Sequence, residues 1–136
     1  MDIELEQDLL LVTVRGSASY DAALRLFIQV FDHAAASQIG RVLVNGLTVD
    51  GALAAHERYR LGIEVAKYLA RRRQTVKLAL VGVPPAVNGY GIRVARNRGI
   101  DARVFPTLDE ATGWLNEVPG QPLSEVGELP PDPVIT

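Results

Sequence analysis

RVLVNGLTVDGALA, residues 41–54, decides the fold. Val42-Leu43-Val44 is a short apolar run that stops at Asn45-Gly46, and RVLVN reads as a strand buried on both faces. A short polar segment follows. A helical pattern then runs from about Ala52 to Arg72, with Leu53, Tyr59, Ile63, Ala66 and Leu69-Ala70 facing inward and Asp50 placed to cap it. Many α/β proteins carry their chemistry at such a strand-to-helix turn. The question is whether residues 45–52 hold a catalytic, phosphate-binding or phosphorylatable group.

Upstream, Ile3 and Leu5 alternate with acids, Gln7-Asp8 breaks the run, and residues 9–15 (LLLVTVR) are again strand-like, which predicts a hairpin ended by Gly16. Tyr20, Ala23, Leu24, Phe27, Ile28, Phe31 and Ala34 recur at three- and four-residue steps, one face of a helix, with Ser19 as N-cap. Downstream, residues 77–82 read as a strand halted by Pro84-Pro85. Residues 86–98 form a weaker helix, with Val87, Val94 and Ala95 apolar and Gly99 as its C′ residue. Residues 102–105 are the last strand. Thr107 and Glu110 form a capping box for a short helix carrying Leu108, Ala111, Trp114 and Leu115. The order ββαβαβαβα predicts an α/β domain over residues 1–117. Its mixed sheet has about five strands, mostly parallel, with an antiparallel N-terminal hairpin near an edge and four helices on both faces. Residues 118–136 hold five prolines and no periodicity, and read as an extended or disordered acidic tail.

The chain has 136 residues, enough for one domain with its own core. It has no cysteine, so disulfides, thiolate catalysis and Cys-ligated metals are excluded. The opening MDIELEQD is acidic and lacks an apolar core, so no secretory signal is expected, and no run suits a membrane span. A cytoplasmic protein is the expectation. The net charge of −2 hides a pattern: all 14 Lys and Arg lie between Arg15 and Arg103, with acids gathered at both ends. Aromatic residues do not interleave the basic ones, so nucleic acid is not the favoured partner.

Chemistry-bearing patterns are sparse. Asn88-Gly89-Tyr90-Gly91 lies behind two prolines, lacks a third glycine and is followed by no Lys-Ser or Lys-Thr, so it is not a phosphate loop. His33 and His56 sit near no nucleophile elbow. Asp50, His56 and Glu57 share a neighbourhood, but adjacent helix positions point apart, and no metal or cofactor is expected. No catalytic residues are assigned.

The segment order resembles the STAS superfamily, the fold of bacterial anti-sigma-factor antagonists and of sulfate-transporter tails. LLLVTVRGSASYDAALRLFIQVF is similar to that family's strand, glycine and helix opening, and RVLVNGLTVDGALA to its strand ending in a polar loop before a helix. KLALVGVPPAVNGYGIRVARNRGIDARVFPTLDEATGWL looks like the last strands and helices of the stand-alone, SpoIIAA-like bacterial branch. The resemblance covers roughly residues 3–116 and implies a non-enzymatic regulatory or interaction module. In the antagonists a partner kinase phosphorylates a serine at the helix start, where phosphate would meet helix amides and repel a docked partner. Asp50 matches the acid of that motif. The serine position falls at Gly51 or Ala52, which have no hydroxyl, and Thr48 is the nearest one.

Two functions follow as expectations. The first is docking of another protein, or a second copy of the chain, through Asn45, Thr48, Asp50, Gly51 and Ala55. The alternative is a small ligand (lipid, acyl or nucleotide) in the crevice at the carboxyl ends of the strands, where Asn45, Gly82 and Phe105 would meet. Asn45, Asn88, Tyr90, Arg93 and Arg96 would then bind it, the arginines holding an anion.

Overall fold

The computed structural model describes residues 2–87 and 89–117. The expected tail, 118–136, lies outside the described residues, as does Asn88. The element order is β1 (Asp2–Glu6), β2 (Leu9–Ser17), α1 (Tyr20–Ala36), β3 (Arg41–Asp50), α2 (Ala55–Arg71), β4 (Lys77–Val81), α3 (Tyr90–Asn97), β5 (Asp101–Phe105) and α4 (Leu108–Leu115). This is the expected ββαβαβαβα chain. Its five strands form one sheet in the order β1-β2-β3-β4-β5, antiparallel between β1 and β2 and parallel elsewhere.

That order explains the layers. A right-handed crossover that always steps to the next strand on the same side leaves its helix on the same face each time. Phe27, Phe31, Val65, Leu69 and Ala95 of α1–α3 accordingly share one core with Leu10, Val12, Val42, Val44 and Leu78 of the sheet. Helix α4 follows the last strand and covers the other face, where Trp114, Leu115 and Ala111 pack on Leu43, Ala79 and Val81. Residues of β3 and β4 alternate between the two cores, as the period-2 pleat requires.

Local chemistry sets the helix ends. Ser19 Oγ accepts from the Ala22 amide at 3.2 Å, as its N-cap position predicts. Thr107 Oγ1 accepts from the Glu110 amide at 3.2 Å, while its hydroxyl faces Glu110 Oε2 at 3.1 Å, so half of the expected capping box forms. Gly99 takes φ 95 after α3. Gln38 and Arg73 occupy the same left-handed region after α1 and α2, at φ 57 and 51.

Three expectations need correction. The strand expected to stop at Asn45 continues to Asp50, and β2 continues past Gly16 to Ser17, because the two strands pair with each other along this stretch. Helix α2 begins at Ala55, so Asp50 is a strand residue and not its cap; the N-cap is Ala54, whose amide donates to Glu57 Oε1 at 2.9 Å. The buried face of α2 is Arg58, Gly62, Val65, Ala66 and Leu69, while Tyr59 is 45% exposed. The helix is rotated by about one residue from the apolar count because Gly62 must meet α3. A Cβ there would lie 2.8 Å from the Gly91 carbonyl oxygen and 2.9 Å from Val94 Cβ.

On the outer surface, Tyr68 and Arg72 of α2 clasp Asp32 of α1: the Tyr68 hydroxyl and Arg72 Nη1 both donate to Asp32 Oδ1. Arg72 also donates to the Tyr68 oxygen at 2.6 Å, and its pKa is raised first by that bond.

Gly62→Ala is expected to cost about 1–3 kcal/mol, since backbone and a β-branched side chain must move. Gly113→Ala in α4, where a Cβ meets nothing within 4 Å, is expected to gain about 0.5–1 kcal/mol. Denaturant titration of both variants checks the pair.

Candidate functional site

The geometry at the carboxyl ends of the strands starts from one irregularity. Thr13 pairs with Asn45, but Arg15 pairs with Thr48, so β3 carries one more residue than β2 across Gly46 and Leu47. Asn45 Oδ1 accepts from the Leu47 amide at 3.1 Å and fixes this bulge. Beyond it, β3 keeps pairing with β2 through Asp50, whereas β4 has already ended at Val81 opposite Asn45. The β2–β3 pair thus overruns the rest of the sheet.

Under the overrun lies a cavity of about 340 Å3. Its floor is Val14, Val44 and Leu80 of the strands, and Val49 closes the overrun side. The walls are Ala22, Ala23, Leu26 and Phe27 of α1, and Leu53 and Leu61 at α2. Ala86 and Val87, between β4 and α3, form the far side. A second cavity of about 100 Å3 continues toward α3 and shares Phe27, Leu53, Leu61, Leu80, Ala86 and Val87 with the first. The polar side chains among the described lining residues are Arg15, Ser17, Ser19, Arg25 and Gln29 in the first cavity and Arg58 in the second. Among the described lining residues there is no carboxylate, histidine, lysine or tyrosine.

Arg58 holds the two connecting segments beside these cavities. It is 9% exposed, donates from Nε to the Leu53 carbonyl at 2.9 Å, and from Nη2 to the Pro85 carbonyl at 2.7 Å. Hydrogen bonds from a charged donor are stronger than neutral ones. The segment before α2 and the Pro84-Pro85 segment are thereby tied to one side chain.

The sequence-predicted residues are only partly brought together. Asn45 is spent on the bulge, and Thr48 Oγ1 donates to the Val14 carbonyl at 3.1 Å. Thr48 and Asp50 lie in β3, Gly51 follows with φ 80, and Ala55 is the exposed first residue of α2. The turn expected at 45–52 is therefore mostly strand, and its hydroxyl sits away from the first turn of the helix. Tyr90 begins α3, with Arg93 against its ring at 5.9 Å. Tyr90, Arg93 and Arg96 are not among the lining residues of either cavity. Asn88 is outside the described residues. Gly82 and Phe105 do meet, through a 3.0 Å backbone bond, but the Phe105 ring lies 5.6 Å from Trp114 on the opposite face of the sheet. Among the described residues no group of three or more His, Asp or Glu gathers to hold a metal ion, and no helix is long and apolar enough to cross a membrane.

What the sequence reading missed is the α1 side of the site. Ser17, Ala18, Ser19, Ala22 and Ala23 are small residues in near succession at a helix start, and their missing volume is the cavity.

No protein-family model matches the chain, and no curated protein matches it. Among solved structures, the NMR structure of the protein TM1081 is similar to it, with 15% identity and a TM-score of 0.46 over 85% of this chain and 88% of that one.

Arg58→Leu is expected to cost about 2–3 kcal/mol, because the carbonyls it serves lose a charged donor. Denaturant melting measures the loss. Hydrogen exchange checks its place, with the Val87 amide, bonded to Val83 O at 3.0 Å, becoming less protected than those of β3.

Proposed function

We propose that this chain is a non-catalytic binding module of the STAS type that takes a small, mainly apolar ligand at the carboxyl ends of its strands. One observation carries the reading: the cavity of about 340 Å3 with apolar walls and polar groups only at its rim. Small-molecule sites have this size and composition, and in parallel sheets they sit at this end of the strands. The walls are apolar and the polar groups stand at the rim, which favours an apolar body over a sugar or a base, so the nucleotide version of the ligand is set aside. No carboxylate or histidine stands among the described lining residues beside the rim arginines and serines, which favours binding over bond-making.

The neutral dye N-phenyl-1-naphthylamine tests this reading. It is expected to bind saturably to the full chain, with one dye per molecule. Ala23→Phe, which fills the wall from α1, should abolish the signal while leaving the fold intact by circular dichroism. Ligand at about 100 times its dissociation constant should add about 2.7 kcal/mol of stability. Dye fluorescence that never saturates, or that survives the filled cavity unchanged, defeats the reading.

A second reading keeps the docking surface at Asn45, Thr48, Asp50, Gly51 and Ala55. Its specific support is the overrun of β2 and β3, which leaves Leu47 41% exposed, with Val83 just past the end of β4 44% exposed. Exposed large apolar groups near a projecting strand pair suit a protein partner or a second copy. Sedimentation velocity checks the second-copy version: a dimer that Leu47→Glu dissociates supports it, and a monomer at every concentration removes it.

A further inference from the structure

We infer that the ligand of the cavity is an amphipathic anion, an apolar body of medium length ending in one anionic group, anchored at the mouth by Arg25. The inference rests on the small-ligand reading above and specifies its chemistry. The rim of the cavity has a sign. It carries two guanidinium groups, Arg15 and Arg25, and no described lining residue carries a carboxylate. Arg15 is engaged: its Nη1 lies 3.1 Å from Asp2 Oδ2 of the hairpin strand beside it. Arg25 is not. It is exposed on α1, and among the described residues it makes no ion pair or hydrogen bond, even with Asp21 one turn earlier. An uncommitted cation over an apolar, acid-free cavity meets a negative group at no cost in existing bonds.

Residues 17–19 and Ala22, the entry and first turn of α1, line the mouth, so the amide end of a 17-residue helix faces the same opening, with Asp21 of that turn outside the lining. A cationic ligand would meet the unpaired charge of Arg25 at the mouth. A neutral apolar molecule would fill the walls but leave Arg25 without a partner. A highly polar anion would find the arginine but leave Val44, Phe27, Leu61 and Leu80 with nothing to cover. Only a molecule with both parts uses both features of the site.

Isothermal titration calorimetry on the full chain tests this, using hexanoate, octanoate and decanoate, 1-octanol, octyl phosphate and octyltrimethylammonium at low salt. Affinity is expected to rise about fourfold per added methylene until the cavity is full, the equivalent of about 0.8 kcal/mol each. Octanoate or octyl phosphate should bind about fivefold more tightly than 1-octanol, a preference that fades as salt rises, and whichever anion binds better names the head group. Arg25→Gln should erase the preference without weakening 1-octanol. Equal binding of octanoate, octyl phosphate and 1-octanol, or tighter binding of octyltrimethylammonium, overturns the anionic ligand and leaves the apolar-ligand reading standing. A preference that Arg15→Gln erases and Arg25→Gln does not overturns the anchor. Failure of every chain to bind defeats the small-ligand reading itself.

Discussion

The parallel pairing of β2 with β3 is the constraint on which the site depends. Eight residue pairs run from Leu9–Arg41 to Ser17–Asp50, and the single slip between Thr13 and Arg15 lets both strands continue where β4 stops. Backbone groups on an overrunning pair must find partners, and each strand supplies them to the other. Ala18 N adds a further bond to Asp50 O at 2.8 Å, so the entry to α1 is fastened to the end of β3. The start of α1 and the segment before α2 are thereby held apart over the sheet, and the space between them is the cavity.

The second feature that shapes the site is the fit of α2 to α3. Gly62 and Gly91 bring the two backbones together, a Cβ on Gly91 coming within 3.3 Å of the Arg58 carbonyl oxygen. This close approach fixes the rotation of α2 and turns Arg58 inward, where its guanidinium satisfies carbonyls of two connecting segments. A buried arginine is expensive unless it is fully bonded. Here the bonds also set the far wall of the cavity, because Pro85 precedes Ala86 and Val87.

The fold was legible where short-range chemistry agrees with packing. Apolar runs too short for helices, the caps Ser19 and Thr107, and Gly99 after α3 fixed element order and most boundaries, and alternating strands and helices fixed the parallel sheet. The sequence misled where one residue type serves two purposes. Asn45-Gly46 reads as a turn, yet the same pair makes a bulge inside a strand, and only the partner strand decides between them. Gln38 and Arg73 follow helices in a backbone region where glycine is usual, yet the end of α2 was read to within one residue, Arg72 against Arg71. Gly62 and Arg58 count as weak and polar in an apolar tally, so the inner face of α2 was assigned one residue away. The cavity is an absence of volume, which no periodicity records. Small residues around Ala22 were visible, but their meaning required knowing that β2 and β3 run on above them.

The two faces of the sheet are chemically unlike. Trp114, the only tryptophan, is 8% exposed on the α4 face, with the Lys77 ammonium 4.6 Å and the Arg103 guanidinium 5.5 Å from its ring. Lys77 also donates to the Trp114 carbonyl at 2.7 Å, and Arg41 to Asn116 Oδ1 at 2.8 Å, fastening the C-terminal end of α4 beneath the starts of β3 and β4. Emission excited selectively from the tryptophan therefore originates across the sheet from the cavity. It reports on the packing of α4, whereas the four tyrosines, on α1, α2 and α3, emit from the cavity's side of the sheet. Spectroscopy on the two halves of this molecule separates itself without any label.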